Sequence, residues 1–382
     1  MMTTQSHFST LSQNYPDLWQ RLAEIVRPER YFELFQQLSD NYSPTLTVSR
    51  VQGDLVAGLL APESDAGQLT VDKSVRRSGS IGIRLGTAPA PVWFSAHADI
   101  CSYLTESPQA KGYPLIPFCM PRCDAGSRPA VALAAPNGAG PLEIIAEGMM
   151  VTEPDGSTHF ATDAELPLWT RVVYQSTATW NQATDEIHGY IDNQASSAAH
   201  ILAARVLAAY DVNVQFVIND EEEGPVDMGN QGFSRAMSRL LHRTPAEELP
   251  EMVIVSDGHG QERYQAAGEP DYFGRGALFT GVSSKARGAV TPPQLVAFNR
   301  ELIGFLNSQG IPAAESPRYV GRSDDISAMQ YTPNVVMIGS AGTSSHFHRT
   351  PTARCQDQVN LTKALVVYAL LAQDEAWRTQ YL

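Results

Sequence analysis

The stretch from residue 187 to residue 225 constrains the fold of this chain more than any other. A polar pair, Asp192 and Asn193, precedes an apolar stripe at helical spacing over 195–210, and a β-branched run follows over 212–218. That run predicts a buried strand, and it leads at once into a polar segment: Asn219, Asp220, Glu221, Glu222 and Glu223. Ligands bind at the carboxyl ends of strands in an α/β sheet, and three adjacent glutamates repel one another, so the segment predicts a cation site.

The composition is that of a folded, acidic protein. The 382 residues are 43% hydrophobic and 18% charged, which allows one large domain or two ordinary ones with a sizeable core. The 27 basic and 41 acidic residues leave a formal net charge of −14. Because nucleic acids and anionic membranes repel such a chain, we expect neither as a partner.

The cysteines and the amino terminus favour a soluble, cytoplasmic protein. Among Cys101, Cys119, Cys123 and Cys355, only Cys119 and Cys123 are close in sequence, and no second pair completes a structural zinc site. We therefore expect thiols in a reducing compartment. The first residues lack the basic start and apolar core of a signal peptide, and no apolar run is long enough to cross a bilayer.

Apolar periodicity predicts an α/β protein with an insertion. Helical spacing occurs over these segments: 16–39, 232–242, 295–309 and 359–373. Strand-like runs occur over these: 45–51, 55–60, 91–95, 252–256 and 334–338. From 104 to 186 helical spacing disappears, and short β-like runs alternate with turn residues. We predict a mixed, mostly parallel sheet sandwiched by helices, built from 1–103 and 187–382, with a small β-rich lid or oligomerisation domain inserted over 104–186.

Acidic side chains and histidines follow the predicted strands at their carboxyl ends or in the adjoining loops. They form five groups: His97 with Asp99, Asp192, Glu221 with Glu222, Asp257, and His346 or His348. A parallel sheet brings such ends to one edge. Mixed imidazole and carboxylate ligands suit zinc, and also manganese or cobalt. One carboxylate more than a single ion needs suggests two ions bridged by an aspartate.

Each group also has an ordinary structural interpretation. Asp192 can cap the helix that follows it, the glutamates can lie in a solvated loop, and Asp257 can close an Asx turn. The histidines can be loop residues without a ligand. The metal hypothesis therefore depends on the conjunction of all five groups in the order His-x-Asp, Asp, Glu-Glu, Asp, His.

That order resembles the clan of co-catalytic di-zinc exopeptidases, and within it most nearly the glutamyl or deblocking aminopeptidases, which form tetrahedral assemblies. The long gap between Asp99 and Asp192 matches the place where those aminopeptidases carry a small β lid. The resemblance covers most of the chain after the predicted strand 91–95. It implies a zinc exopeptidase-like fold, two divalent metal ions, a peptide or small amide substrate and a homo-oligomer.

The resemblance also implies which residues bind the ions. The implied ligands are His97, Asp192 and Glu222 for one ion, and Asp192, Asp257 and His348 for the other. Asp192 would bridge the two. His348 is preferred as the last ligand because His-Arg-Thr-Pro resembles the family's His-Ser/Thr-Pro ending, and His346 is the alternative.

The resemblance assigns proton transfer to neighbouring carboxylates. Glu221 would be the general base that takes a proton from the attacking water and passes it to the leaving amine. Asp99 would orient and polarise His97. Adjacent Glu221 and Glu222 can perform different tasks only if the backbone turns their side chains in different directions.

Several departures from the family's pattern leave the subfamily and the substrate open. Residues 100–102 hold neither the acidic residue nor the glycine that usually follows His-x-Asp, and Gln194 stands where an arginine is usual. No glutamate closely follows the final histidine motif. Asp324 and Asp325 resemble a Thr-Asp segment beside the family's active site, or they cap a helix.

The leading hypothesis is an aminopeptidase that hydrolyses the N-terminal residue of a peptide through a water activated by two metal ions. A metal-dependent amidohydrolase or deacylase acting on small N-acylated substrates is the enzymatic alternative. A catalytically idle relative that binds peptides or serves assembly is the third. The sequence has no Gly-x-Ser-x-Gly elbow and no Walker-type phosphate loop, which argues against a serine hydrolase and a nucleotide-binding protein.

Overall fold

The computed structural model describes residues 4–120, 124–135, 141–224, 234–261, 268, 271–316, 321–343, 346–347 and 349–382. The helices in these ranges are α1 Thr4–Asn14, α2 Leu18–Ile25, α3 Pro28–Ser39, α4 Val48–Val51, α5 Gly53–Leu59, α6 Ala61–Asp65, α7 Ile191–Leu207, α8 Arg235–Arg243, α9 Pro293–Ser308, α10 Asp325–Ala328, α11 Cys355–Leu371 and α12 Glu375–Tyr381. None of these helices is both long enough and apolar enough to span a membrane.

The strands fall into one large sheet and one barrel. In chain order they are β1 Leu69–Asp72, β2 Ile81–Leu85, β3 Val92–His97, β4 Tyr103–Thr105, β5 Tyr113–Pro117, β6 Gly126–Ala134, β7 Glu143–Thr152, β8 Thr158–Ala161, β9 Arg171–Tyr174, β10 Thr179–Asn181, β11 Glu186–His188, β12 Val214–Asn219, β13 Met252–Val255, β14 Gly258–Gly260, β15 Ala277–Thr280, β16 Ala313–Glu315, β17 Val335–Thr343 and β18 Thr352–Arg354.

Four parallel strands, β12, β3, β13 and β17, form the centre of the large sheet, whose order is β1-β2-β12-β3-β13-β17-β18-β11-β10. Antiparallel pairs flank them on both sides. The predicted mixed α/β sheet is thereby confirmed. Asn219 pairs with His97 in the register of β12 and β3, so the acidic segment after β12 leaves the sheet beside that histidine.

Helices cover both faces of the central strands, which explains why these strands have continuous apolar sequences. On one face Phe94 and Phe216 belong to the same buried cluster as the apolar residues of α7 and α11. On the other face Trp93 and Val253 pack with Leu240 of α8. Full burial of each large apolar side chain stabilises the fold by ~1.5–3 kcal/mol. The strand ends are therefore fixed on a rigid support.

A closed six-stranded barrel, in the order β4-β5-β8-β7-β6-β9, interrupts the α/β fold between β3 and α7. Its strands span residues 103–174, whereas the predicted insertion extends over 104–186. The last residues of that range form β10 and β11, which join the large sheet through β18. Short strands look alike in sequence whichever sheet they join. The loss of helical spacing therefore could not show where the barrel ends and the large sheet resumes.

Two predicted strands are helices. The sequence predicts strands over 45–51 and 55–60, but these segments contribute the helices α4 and α5. Val48 and Val51 are both buried, and their spacing of three suits one face of a helix. Burial against the core thus overrides the strand preference of the valines.

Candidate metal centre

Separate chain segments bring acidic side chains and imidazoles to one edge of the central sheet. His97 ends β3, Asp192 lies in the first turn of α7, Glu222 and Glu223 follow β12, and Asp257 follows β13. The Asp192–Asn193 peptide bond is cis. The parallel order of β12, β3 and β13 is what makes these positions neighbours.

His97 is the centre of a first cluster, formed with Asp192 and Asp257. Its Nε2 lies 3.1 Å from Oδ1 of Asp192 and 3.7 Å from Oδ2 of Asp257. Oε2 of Glu222 also lies 3.7 Å from this nitrogen. One donor atom from each member of the first cluster lies within 4.8 Å of the others. Carboxylates held this closely repel one another unless a positive charge joins them.

The orientation of the His97 ring suits a bound cation. Its Nδ1–H donates to the backbone carbonyl of Asp99 at 3.2 Å, which leaves Nε2 with a lone pair directed at the carboxylates. Nε2 is buried and has no well-aligned hydrogen-bond partner. Burial lowers the pKa of His97, but the carboxylates of Glu222, Asp192, Asp99 and Asp257 outweigh it and raise that pKa well above 6.5. The carboxylates thus favour a positive charge at Nε2, where a divalent cation also fits.

A second cluster consists of Cys101, Glu223 and His346, again within 4.8 Å of one another. Nε2 of His346 lies 3.7 Å from Oε2 of Glu223 and 3.7 Å from Oδ2 of Asp192. Nδ1 of His346 donates to the backbone carbonyl of Met120 at 3.1 Å, which directs Nε2 towards the carboxylates. Asp192 therefore offers one oxygen to each cluster.

Asp99 holds the acidic segment in place. Its Oδ1 accepts the backbone N–H of Glu222 at 3.1 Å, and its Oδ2 accepts the N–H of Glu223 at 3.1 Å and the hydroxyl of Thr45 at 2.7 Å. Asp99 is fully buried, and Oδ1 lies 3.5 Å from Nδ1 of His97. The same carboxylate thus orients the first histidine and fixes two glutamates. This arrangement fits the positioning role expected for Asp99.

The carboxylate of Glu221, which the resemblance assigns as the general base, pairs with two arginines rather than with a member of either cluster. Glu221 has a backbone φ of +64°, and its buried carboxylate pairs with Arg239 and, at 3.0 Å, with Nε of Arg235. Both arginines belong to α8. Asp220 supports this turn, since its Oδ1 accepts the N–H of Glu221 at 2.7 Å. The pair of glutamates that faces the site is consequently Glu222 and Glu223.

Burial sets the proton affinity of the site. It raises the pKa of Glu222 well above 4.5, and Asp257, Glu223 and Asp192 raise it further while His97 opposes them. Burial likewise raises the pKa of Glu223, with Asp192 as the next cause. A hydrogen bond with Cys119 and then burial raise the pKa of Cys101. The uncharged forms of these groups are thus favoured as long as no cation is bound.

The remaining residues singled out in the sequence lie around the clusters or outside the described residues. His348 lies outside the described residues, so its role as a ligand stays a prediction. His346 is described, and its Nε2 faces Asp192. Asp324 is buried and accepts hydrogen bonds from Ser95 at 2.6 Å and Asn219 at 2.7 Å. Asp325 accepts the N–H of Ala289 at 2.9 Å. Asp324 and Asp325 therefore brace strand ends and loops.

Sequence reasoning missed two members of the second cluster, Glu223 and Cys101. Glu223 was visible as the third residue of the acidic run, but the pairing of the run with the family's motif assigned the first two glutamates. A sequence signal that Glu221 pairs elsewhere was available in Arg235 and Arg239. They are spaced four apart on a predicted helix and are able to neutralise one carboxylate. Cys101 gave no signal, because its neighbours in space are distant in sequence.

No protein family model and no curated protein matches the chain. Solved structures do match. A TET aminopeptidase from a marine sediment thaumarchaeon superposes with a TM-score of 0.74 at 14% identity, over 93% of this chain and 99% of that one. An aminopeptidase from the archaeon Desulfurococcus kamchatkensis gives 0.71 at 16%, over 93% and 98%. The TET1 peptidase of Pyrococcus horikoshii gives 0.66 at 15%, over 89% and 99%.

These similarities establish the fold. The chain has the architecture of the TET aminopeptidases over nearly their whole length, including the inserted barrel, and the predicted resemblance is confirmed at this level. The Pyrococcus horikoshii TET1 peptidase can assemble into a tetrahedron or a large octahedral shell. The narrower resemblance to the glutamyl or deblocking aminopeptidases stays a prediction, since the similarities extend to aminopeptidases in general.

Proposed function

We propose that this chain is a metal-dependent aminopeptidase that removes the N-terminal residue of a peptide. The position of Asp192 supports this most directly. Its Oδ1 lies 3.1 Å from Nε2 of His97, a member of the first cluster. Its Oδ2 lies 3.7 Å from Nε2 of His346, a member of the second cluster. A carboxylate shared between two ligand sets is what a two-metal hydrolase needs. The fold shared with TET aminopeptidases supports the same activity.

The proposed ligands differ from those that the sequence suggested. One cation would be bound by His97, Asp192 and Asp257, and the other by Asp192, Glu223 and His346. Asp257 moves to the first cation because it offers a donor oxygen within 4.8 Å of the donor atoms of both His97 and Asp192. Nitrogen and oxygen donors of this kind suit zinc, with cobalt or manganese as alternatives.

Glu222 is the proposed general base in place of Glu221. It belongs to neither cluster, yet its Oε2 lies 3.7 Å from Nε2 of His97, so its carboxylate borders the site without being needed as a ligand. When bound, two divalent cations would lower the pKa of a shared water and polarise the scissile carbonyl. Glu222 would accept a proton from the attacking water and donate it to the leaving nitrogen as the C–N bond breaks. Burial, the largest cause of the raised pKa of Glu222, helps this carboxylate to hold the transferred proton.

The charge of the site favours a substrate with a free amine. The carboxylates that border the clusters are Asp99, Asp192, Glu222, Glu223 and Asp257. When all five are ionised, their five negative charges exceed the four positive charges of two divalent cations by one. A peptide's N-terminal ammonium group is attracted to that surplus, whereas the free carboxylate of an N-acylated amino acid is repelled. The surplus therefore favours the aminopeptidase over the deacylase.

Self-assembly and location are separate parts of the proposal. Leu168 and Trp169 project from the barrel segment with exposed fractions of 52% and 68%, which is unusual for such large apolar side chains. Together with the assemblies formed by the TET1 peptidase, this supports a homo-oligomer, and light scattering coupled to size exclusion measures its mass. Cytoplasmic location stays a prediction.

Hydrolysis assays with defined metals test the proposed function. The purified chain is stripped with a chelator, reloaded with Zn²⁺, Co²⁺ or Mn²⁺, and assayed on aminoacyl-anilides and on N-acetyl amino acids. We expect metal-dependent release of aniline and little deacetylation. Release of acetate without aniline would favour the deacylase, and hydrolysis of neither substrate class after verified metal loading would favour the idle relative.

A further inference from the structure

The second cluster contains a thiol in a place where the first cluster has only nitrogen and oxygen donors. Sγ of Cys101 lies 3.2 Å from Oε2 of Glu223 and 3.5 Å from Nδ1 of His346. Cys101 is buried, with an exposed fraction of 3%, and follows Asp99 by two residues. The loop after β3 therefore delivers both the carboxylate that orients His97 and a sulfur donor.

The spacing of these atoms suits a shared cation. Bond lengths of about 2.0–2.3 Å place two donors on one tetrahedral Zn²⁺ roughly 3–4 Å apart. The 3.2 Å between Sγ of Cys101 and Oε2 of Glu223 falls in that range, and so does the 3.7 Å between Oε2 of Glu223 and Nε2 of His346. The 3.5 Å contact of Cys101 is with Nδ1, the other nitrogen of this ring, and one donor atom from each of the three residues lies within 4.8 Å of the others. Asp192 approaches the same imidazole.

We propose that Cys101 is a thiolate ligand of the cation bound at the second cluster, an inference that rests on the two-cation function proposed above. The two positions then differ in chemistry. His97, Asp192 and Asp257 provide only nitrogen and oxygen, whereas the second position adds sulfur. Because thiolates select soft or borderline cations, the second position prefers Zn²⁺ and Cd²⁺ over Mn²⁺ and Mg²⁺.

The backbone around Cys101 holds the thiol where a ligand must be. The N–H of Ile100 donates to the carbonyl of Ser43 at 3.0 Å, which fixes the loop just before Cys101. Cys119, itself fully buried, is in hydrogen-bond contact with Cys101. Cys119 is thus a second thiol in the same surroundings, but it is not a member of the cluster. It provides a matched control.

Cobalt spectroscopy on the full-length chain distinguishes a ligand from a neighbour. The stripped protein, its Cys101→Ser variant and its Cys119→Ser variant are titrated with Co²⁺, and circular dichroism verifies their folding. We expect a near-ultraviolet sulfur-to-cobalt charge-transfer band in the parent chain, its retention in Cys119→Ser and its loss in Cys101→Ser. The second Co²⁺ should also bind at least about tenfold more weakly to Cys101→Ser.

The outcomes separate this inference from the proposed function. Binding of two Co²⁺ ions and peptide hydrolysis without the band, or with a band that persists in Cys101→Ser, would overturn the ligand role of Cys101 and leave the aminopeptidase intact. A charge-transfer band that is lost in Cys101→Ser, in a parent chain that binds only one Co²⁺ ion, would support the ligand role of Cys101 and overturn the two-cation function. Failure of the folded parent chain to bind any Co²⁺ would overturn both.

Discussion

Oδ1 of Asp192 lies 3.1 Å from Nε2 of His97, a contact between the first turn of α7 and the last residue of β3. The other oxygen of this carboxylate faces His346. Asp192 is consequently the residue on which both proposed cation positions depend.

Substitutions at Asp192 and Asp257 should differ in metal stoichiometry. We expect Asp192→Ala to weaken the binding of both cations, because it removes one ligand from each. Asp257→Ala should weaken the binding of only the cation at His97 and leave the cation at the second cluster bound. Metal analysis after equilibrium dialysis measures this, with the exposed Asp163→Ala as the control. Equal loss from Asp192→Ala and Asp257→Ala would contradict the ligand assignment.

Asp99→Asn should weaken both the fold and metal binding. Both oxygens of Asp99 accept hydrogen bonds, so an amide NH₂ would oppose the N–H of Glu222 or of Glu223. We expect a loss of ~1–3 kcal/mol in unfolding free energy and roughly 10–100-fold weaker metal binding. Thr45→Val, which removes a single donor to Asp99, should cost less. Chemical denaturation and chelator competition measure the two effects.

The pairing of Glu221 with α8 should be visible as a thermodynamic coupling. Arg239→Met leaves a buried carboxylate with Arg235 as its remaining partner, and both guanidinium groups are partly exposed, so we expect a loss of only ~1–3 kcal/mol. Adding Glu221→Gln should restore part of that stability, since no charge then needs a partner. Urea unfolding of the single and double variants gives the coupling energy. Additive losses would show that the ion pair is not what holds Glu221.

Removal of the metals should destabilise the protein more at alkaline than at acidic pH. The native state raises the pKa of Glu222, Glu223 and His97, so without cations it binds protons that the unfolded chain releases as pH rises. The free energy of unfolding of the stripped protein therefore falls with rising pH. Bound cations replace those protons, so the drop in Tm on chelation should be larger near pH 8 than near pH 6. A drop that shrinks as pH rises would contradict this electrostatic account.

The sequence predicts the location of the site better than its internal arrangement. The apolar run over 212–218 and the one over 91–95 predict buried strands, and parallel pairing then brings His97 beside the acidic segment. That argument needs only periodicity and the geometry of α/β sheets. It does not depend on the resemblance to a family.

The arrangement within the acidic segment could not be predicted, because one backbone angle decides it. The positive φ of Glu221 turns its side chain towards Arg235 and Arg239, and the turn depends on Asp220, whose carboxylate accepts the N–H of Leu46 at 2.7 Å. Such contacts join segments far apart in sequence. Three consecutive glutamates are chemically identical until the fold distinguishes them.

The most direct test of the account compares Glu222→Gln with Glu221→Gln in steady-state hydrolysis of an aminoacyl-anilide, with metal content measured on the same samples. If Glu222 is the base, Glu222→Gln retains its metals and loses about 10²–10⁴-fold in kcat, while Glu221→Gln retains most of its kcat. A fully active Glu222→Gln enzyme beside an inactive, metal-loaded Glu221→Gln enzyme would contradict the account.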